Sequence, residues 1–495
     1  MFGTFAGLLD YCAARRPRRP LVVHTDGTTL SIADVANLSA AAAGWLFDAG
    51  VQPGMTVAWQ FPSRIESVIL MFALARMPVT QAPMIHLYRS REVAAAAEAA
   101  RVDVLLADGH STSNTPPTLT TIDVPADFIT RLRHHPKPPY QRHSPLPMSG
   151  TGWIYFTSGT TGQPKAVRHT DTTLLSAARG YLAHLGLGSH PHEMGTITFP
   201  IAHVGGSIYL ATALLGDFPL LLVPKVTDEL PQLLARHAVT VTNGTTAYYQ
   251  ILLDAQLAAS TAAPLIPSLR MLAGGGAPCP PEVHEQVRRH LAVPILHGYG
   301  MTEGPMTCVS ESADTEEQLT NSAGRPTPGT QVRIADNGEI QLRGTGVSPG
   351  YLDHHAWADA TTSDGWFRSG DIGRLRPDGR IVVTGRLKDV IIRKGENIAP
   401  DEIEAELLAH PLVDAVAVVG LPDKTSGEVI CAVVRRPRHG QREVTLGELC
   451  TFLDARGLMK QKWPERLVYV DDFPSTGLGK IAKAELIRRL AHSLN

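Results

Sequence analysis

What this sequence lacks bounds what it can be. Its five cysteines (Cys12, Cys279, Cys308, Cys431, Cys450) are scattered over 495 residues without a C-x-x-C pair. That argues against a disulfide framework and a zinc site, and it predicts a reducing, cytoplasmic setting. Charge of one sign is missing as well: 45 Lys+Arg against 47 Asp+Glu leave a net −2. Neither nucleic acid nor an anionic membrane is implied as a partner. No apolar run reaches the roughly 20 residues of a clean membrane span. The most apolar window, Ile208 to Val223, is cut by Asp217 and Pro219 and reads as helix plus strand in a core. The opening stretch, Met1 to Asp10, carries its arginines after the apolar residues, the reverse of a secretory signal. Finally, no G-x-x-x-x-G-K-[ST] spacing is present, so any phosphate loop is not of the Walker type.

What is there begins with length and balance. A chain of 495 residues is too long for one core, so two or more domains are expected. Hydrophobic residues at 43% and charged ones at 19% suit a soluble globular enzyme. The chain is organised around Trp153-Ile-Tyr-Phe-Thr-Ser-Gly-Thr-Thr-Gly-Gln-Pro-Lys-Ala-Val167. Trp153 to Phe156 read as a short buried strand. Thr157, Ser158, Gly159, Thr160, Thr161 and Gly162 then form a loop in which glycines turn backbone N–H groups to one point and hydroxyls add donors. Lys165 closes it with a mobile positive charge. A solvated Ser/Thr/Gly turn is the ordinary use of such a stretch. The strand in front and the lysine behind favour a polyphosphate.

Helix and strand signals alternate before and after that loop. Ser31 caps a helix with Asp34 three residues on, and Gly50 ends it. Met55 to Phe61 and Val102 to Ala107 read as strands, and Ser67 to Met77 as a helix stopped by Pro78. Residues 111–150, rich in Ser, Thr, Pro and His, read largely as a long surface connection. His134-His135 there has no further ligand at metal spacing, so a solvated loop is the reading. Further strands are expected at Thr196 to Phe199, Leu220 to Val223, Ser268 to Ala273 and Pro294 to Leu296, with a helix from Asp228 to Arg236. The last two strands open into Gly274-Gly275-Gly276-Ala277-Pro278 and His297-Gly298-Tyr299-Gly300-Met301-Thr302-Glu303. Strand ends that open into glycines are where α/β sheets place ligands, although a triple glycine alone is more often a tight turn. Tyr299 offers a face to a purine, and Thr302 beside Glu303 suits a phosphate with its magnesium ion. After Arg386 comes a piece of roughly 100 residues, enough for its own core. Pro400 opens a helix with Asp401, Glu402 and Glu404, and Thr445 with Glu448 forms a second capping box. A final strand, Leu467 to Val470, leads to the glycine-flanked Lys480.

Six segments in this order resemble the adenylate-forming superfamily: YFTSGTTGQPKAV, GGGAP, HGYGMTEG, RSGDIGRL, GRLKDVIIRKGENIAPDEIE and PSTGLGKIAK. That superfamily holds acyl-CoA synthetases, the adenylation domains of peptide synthetases and beetle luciferases, and the match covers nearly the whole chain. The resemblance implies an α/β fold: a large N-terminal domain (1–385) of mixed α/β sheets layered with helices, and a small mobile α+β C-terminal domain (386–495), hinged near 386–388. It implies ATP, Mg2+ and coenzyme A as cofactors. By matching residues, Thr157 to Lys165 bind the β- and γ-phosphates, and Gly275, Gly276, Ala277 and Tyr299 line the adenine pocket. Thr302 holds the α-phosphate, Glu303 the magnesium, and Asp371 with Arg386 the ribose hydroxyls. Lys388 sits at the hinge, Lys480 matches the catalytic lysine, and His203 matches the residue beside the acyl carboxylate. Lys394 and Gly395 match the lip of the pantetheine tunnel.

The implied chemistry needs these residue types. A carboxylate attacking the α-phosphorus of ATP is already ionised at pH 7, so cations and alignment are needed rather than a base. The acyl-adenylate hydrolyses readily, so water must be kept out until a thiol arrives. Ala166, Ser369 and Ser475 depart from the commonest family residues (glycine, threonine and arginine), and Met77-Pro-Val-Thr80 lacks a glycine-alanine turn. None removes a charge the mechanism uses. The segment Phe199-Pro-Ile-Ala-His-Val-Gly-Gly-Ser207 has no aspartate to pair with an ammonium, which argues against amino acids. The expected activity is therefore that of an AMP-forming acyl-CoA ligase for an apolar fatty, alicyclic or aromatic acid. The alternative acceptor is an acyl carrier protein. A non-catalytic nucleotide-binding protein would not need Glu303, Asp371 and Lys480 together.

Overall fold

A helix that is apolar on every side needs protein on every side, and the described residues include two such helices. In the helix Ile65–Ala75 every residue from Ser67 to Ala75 is buried, and in Val204–Gly216 every residue from Val204 to Leu214. Both feed one core that also takes Val22, Leu220 and Leu222 from one sheet and Val57, Trp59, Phe61 and Trp153 from another, so the helices lie between two sheets. The computed structural model that shows this describes residues 3–109, 116, 118–134, 152–158, 164–259, 261, 263–277, 279–393, 396–423, 427–437, 442–458, 460–475 and 481–493.

The first of these sheets has nine strands, in the order Arg325–Pro326, Cys308–Val309, Ile295–Tyr299, Met271–Gly275, Val241–Gly244, Gly195–Ile197, Leu220–Leu222, Pro20–Val23 and Thr29–Ser31. Its six central strands are parallel and its outer strands antiparallel. Parallel strands are buried on both faces. The far face accordingly carries a second core, where Leu221, Leu272 and Ile295 meet Leu234, Leu252 and Val287 of three further helices. The second sheet has seven strands, ordered Gly350–Tyr351, Pro164–His169, Trp153–Ser158, Thr80–Ile85, Thr56–Phe61, Val104–Ala107 and Thr121–Asp123. Its far face is covered by the helix Ser90–Ala100 through Val93, Ala96 and Ala100.

By its internal contacts the chain forms two units, Met1–Val332 with Leu342–Phe367, and Arg333–Gln341 with Arg368–Asn495. This division falls at 367/368 and takes in 333–341, whereas the motif-based boundary lies at 385/386. In the second unit the strand Phe367–Leu375, from Arg368 onward, and its partner Ile381–Arg386 precede a five-stranded sheet. One face of that sheet packs Ile403, Leu407, Leu449 and Leu453 of two helices, and the other Leu486 and Leu490 of the last helix, Lys483–Ser493. The expected fold class, mixed α/β with a large amino-terminal and a small carboxy-terminal domain, is the one observed.

Local rules held where they were strongest. Ser31 and Asp34, and Thr445 and Glu448, each form a reciprocal capping box. The window from Ile208 to Val223 is helix followed by strand, and among the described residues no helix is long and apolar enough to cross a membrane. The segment read largely as a long surface connection holds some regular structure among its described residues. It contains the short strand Thr121–Asp123, parallel to Val104–Ala107, and the helix Phe128–Arg133, which buries Phe128 and Leu132. Pairing to a neighbouring strand, not local pattern, makes those three residues a strand. His135 lies outside the described residues.

Candidate active site

The strand Trp153–Ser158 turns back as Pro164–His169, and the register sets Thr157 opposite Lys165 and Ser158 opposite Pro164. The hairpin therefore delivers Lys165 beside the start of the expected phosphate loop. Gly159, Thr160, Thr161 and Gly162 lie outside the described residues, as does the side chain of Ser158. On the other edge of Pro164–His169, the two-residue strand Gly350–Tyr351 pairs Tyr351 with Val167. This brings the Tyr351 ring beneath Lys165, with Nζ 5.0 Å from the ring centroid, close enough for a cation–π contact. The Tyr351 hydroxyl donates to Glu303 Oε1 at 2.7 Å, and Glu303 is 7% exposed. One phenol thus touches a cation on one side and a buried carboxylate on the other. Burial first, then the charge of Glu303 and the bond to it, push the phenol far above its ordinary pKa, so it stays a donor.

Thr302 and Glu303 follow the strand Ile295–Tyr299 through a tight turn in which Met301 and Gly304 exchange backbone hydrogen bonds. The Thr302 carbonyl accepts from His169 Nε2 at 2.7 Å, and His169 Nδ1 lies 2.9 Å from Thr173 Oγ1. Burial holds the His169 imidazole down at about 4, against the pull of the Thr302 bond, so it is neutral at pH 7. Thr302 also lines a narrow crevice with His203, Tyr88, Tyr155, Phe156 and Val204. His203 caps the helix Val204–Gly216: its Nδ1 accepts the Gly205 N–H at 3.1 Å, and its ring stacks on Phe199 with centroids 5.8 Å apart. The crevice so joins an apolar wall to a helix amino terminus, where anionic groups are favoured.

On the expected adenine side, Met271–Gly275 and Ile295–Tyr299 run parallel with Gly275 opposite Gly298. A Cβ at Gly275 would come 2.3 Å from the Gly298 carbonyl oxygen, so this approach of two backbones admits only glycine. Gly276 follows with φ +88° and open space beside it, and Ala277 and Tyr299 stand at the same strand ends. His297, which sequence reasoning passed over, is buried between them. Burial lowers its imidazole to about 4, a bond to the Ala277 backbone opposes this, and its Nδ1 has no partner among the described residues.

Within the second unit, antiparallel pairing sets Asp371 opposite Arg386, and Arg386 Nε lies 3.0 Å from Asp371 Oδ1. The two residues assigned to ribose are thus neighbours. Ser369, one of the departures from the family pattern, accepts the Asp371 N–H at 3.0 Å and donates to the Ile340 carbonyl at 2.6 Å. Its hydroxyl therefore fixes the turn into Asp371. Lys388 sits in the short 3₁₀ turn Leu387–Asp389. Lys394, Gly395 and Lys480 lie outside the described residues. Among those described, no group of three or more His, Cys, Asp or Glu is placed to hold a metal. A buried carboxylate beside a threonine is nonetheless a fit for magnesium, which takes one or two carboxylates and draws its remaining oxygens from water and phosphate.

Comparison with known proteins shows the family. Residues 9–352 match the family described as AMP-binding enzyme, and residues 402–480 match the AMP-binding enzyme C-terminal domain. The chain is 32% identical to a feruloyl-CoA synthase of an Amycolatopsis species, over 96% of this chain and 97% of that protein. It is 31% identical to the salicyl-AMP ligase / salicyl-S-ArCP synthetase of Mycobacterium tuberculosis, over 93% of this chain and 85% of that one. Among solved structures, o-succinylbenzoate coenzyme A synthetase from Bacillus subtilis superposes with a TM-score of 0.84 at 26% identity, covering 97% of each chain. It has been seen with its acyl-adenylate and, separately, with ATP and a magnesium ion. The two family matches, the near-complete alignments and the shared fold together make this chain a member of the AMP-binding, adenylate-forming enzymes.

Proposed function

We propose that this chain is an AMP-forming acyl-CoA ligase that joins an apolar carboxylic acid without an α-amino group to ATP and then to the thiol of coenzyme A. The observation that carries the reading is the continuous contact from Lys165 through Tyr351 to the buried Glu303, beside the crevice shared by Thr302 and His203. Magnesium at Glu303 would supply a fixed positive charge against the phosphates of ATP. The chain's own groups do the rest. Lys165 and the loop from Thr157 hold the outer phosphates, and the Thr302 hydroxyl orients the α-phosphate. The glycine-lined strand ends at Gly275 and Gly276 admit the adenine against Tyr299, and Asp371 with Arg386 receives the ribose. His203 and the helix terminus it caps steady the acid's carboxylate, while Tyr88, Phe156 and Val204 keep its tail from water. Lys480 brings a positive charge to the carboxylate and α-phosphate as they join, where charge placement lowers the barrier most. Turning at Lys388 then withdraws Lys480 and presents Lys394 and Gly395 to the pantetheine arm.

The test is pyrophosphate exchange across a panel of carboxylic acids, followed by thioester formation with coenzyme A. Exchange with fatty, alicyclic or aromatic acids in preference to amino acids supports the reading, and exchange led by amino acids overturns it. A second reading, loading of an acyl carrier protein, is favoured by the similarity to the salicyl-S-ArCP synthetase. Comparing coenzyme A with a carrier protein as acceptor separates the two.

A further inference from the structure

We infer that His169 is a positioning residue for the Thr302–Glu303 segment; this rests on the function proposed above. His169 ends the strand Pro164–His169, whose other end carries Lys165, yet its Nε2 bond reaches the Thr302 carbonyl, 133 residues away in the chain. A carbonyl oxygen only accepts, so Nε2 carries the ring's proton. The imidazole is fully enclosed, with the Tyr155 ring edge-on at 6.0 Å and the Thr173 hydroxyl at Nδ1.

The bond matters because of what a peptide plane joins. The Thr302 carbonyl and the Glu303 N–H belong to one rigid unit, so holding that oxygen fixes ψ of Thr302 and φ of Glu303 together. The next plane is held in turn: the Glu303 carbonyl accepts the Ser348 N–H at 2.7 Å, and the Ser348 hydroxyl donates to the Arg168 carbonyl at 2.7 Å. Neighbouring residues of one strand so hold both planes flanking Glu303, His169 directly and Arg168 through Ser348, while Tyr351 holds its carboxylate. Any buried imidazole N–H needs an acceptor; what points to positioning is that this acceptor is the carbonyl between Thr302 and Glu303. His169 sets where Glu303 and the Thr302 hydroxyl point, without touching substrate.

The experiment compares His169→Phe, which keeps the ring volume but loses the donor, with His169→Gln, which keeps an N–H donor. Four quantities are read: kcat and KM in pyrophosphate exchange, the magnesium concentration giving half-maximal binding of ATP, and Tm. The expected result for His169→Phe is an exchange kcat lower by about 10- to 100-fold, the usual cost of losing a group that orients a metal ligand. KM for the acid stays within about twofold and the magnesium midpoint rises, while His169→Gln recovers most of both. The inference is overturned if His169→Phe keeps the wild-type kcat and magnesium midpoint, or if both variants lose activity only in step with Tm. Should the wild type exchange pyrophosphate with no acid, the proposed function falls, and the magnesium midpoint for ATP binding still decides the role of His169.

Discussion

The polar contacts around Glu303 are built differently from most of those in the small unit. Around Glu303 in the large unit they are short, desolvated hydrogen bonds from neutral donors: Tyr351 to the carboxylate and His169 to the neighbouring carbonyl. In the small unit they are mostly ion pairs at the surface, such as Lys462 with Glu402, Arg456 with Glu406 and Arg442 with Glu448. Even Arg386, paired with the buried Asp371, has 46% of its side chain exposed. Buried hydrogen bonds resist salt and hold geometry tightly, whereas exposed pairs are screened and contribute little individually. On the proposed reading the large unit is a receptor set before substrate arrives, and the small unit is a carrier that brings one charge and then exchanges it for another surface.

The sharpest way to test that contrast is to strike the carrier. Lys480→Ala should slow adenylation by about 10²–10³, or roughly 3–4 kcal/mol, because it removes a charge that matters most as the transition state forms. Given synthetic acyl-adenylate and coenzyme A, the same variant should still form thioester near the wild-type rate; loss of both half-reactions would dissolve the distinction. Gly395→Leu should do the reverse. It should leave pyrophosphate exchange intact and slow thioester formation by about 100-fold, since a small misplacement of a reacting group costs that much. Equal loss in both assays from a well-folded variant argues against it. In the receptor, Tyr351→Phe should lower exchange by about 10- to 100-fold, the worth of a hydrogen bond to a charged group. An unchanged rate would show that Glu303 does not depend on its phenol. Gly275→Ala must force two strand ends apart, and overpacking of this kind costs about 1–3 kcal/mol. A raised KM for ATP and a lowered Tm are expected, and a wild-type KM would remove Gly275 from the nucleotide site.

The smallest expected effect is one of pH. His169 and His297 are held at about 4 in the folded chain by burial, against about 6.5 when unfolded. Below 6.5 the unfolded chain binds protons that the folded one refuses. The stability these rings confer is therefore complete above about pH 6.5 and is lost as pH falls towards 4, at on the order of 1–2 kcal/mol per ring by pH 5. Melting temperature followed from pH 8 to 5 measures it. His297→Asn should flatten the curve, and an unaltered slope would mean that this ring is not desolvated as described.

The sequence made legible whatever depends on near neighbours. Ser31 and Thr445 could be read as caps because their partners stand three residues away. The strand from Trp153 showed in its four bulky residues, and its place beside a phosphate loop in the glycines that follow. The cap formed by His203 was not legible, because histidine seldom serves there. Tyr351 and His169 were missed for a different reason. Each acts on the Thr302–Glu303 segment across many intervening residues, a relation that no spacing rule encodes. The strand Thr121–Asp123 was hidden in the same way, since its only warrant is the edge of Val104–Ala107 beside it. Motif order carried the family, and only tertiary pairing shows how its residues are held.

The register of the nine-stranded sheet has a consequence for how the chain is made. Val22 pairs with Leu220 and Val23 with Leu221, a separation of roughly two hundred residues that belongs to slow, non-local folding. At about 5–20 residues per second of synthesis, the amino-terminal strand emerges about 10 to 40 s before the strand it must join. Throughout that interval Leu21, Val22 and Val23, buried in the finished protein, have the hairpin with Thr29–Ser31 and, for Leu21 and Val22, core neighbours such as Ile32 and Val35, but not the strand Leu220–Leu222. A strand made early thus reaches its parallel partner only after residue 222 has been made.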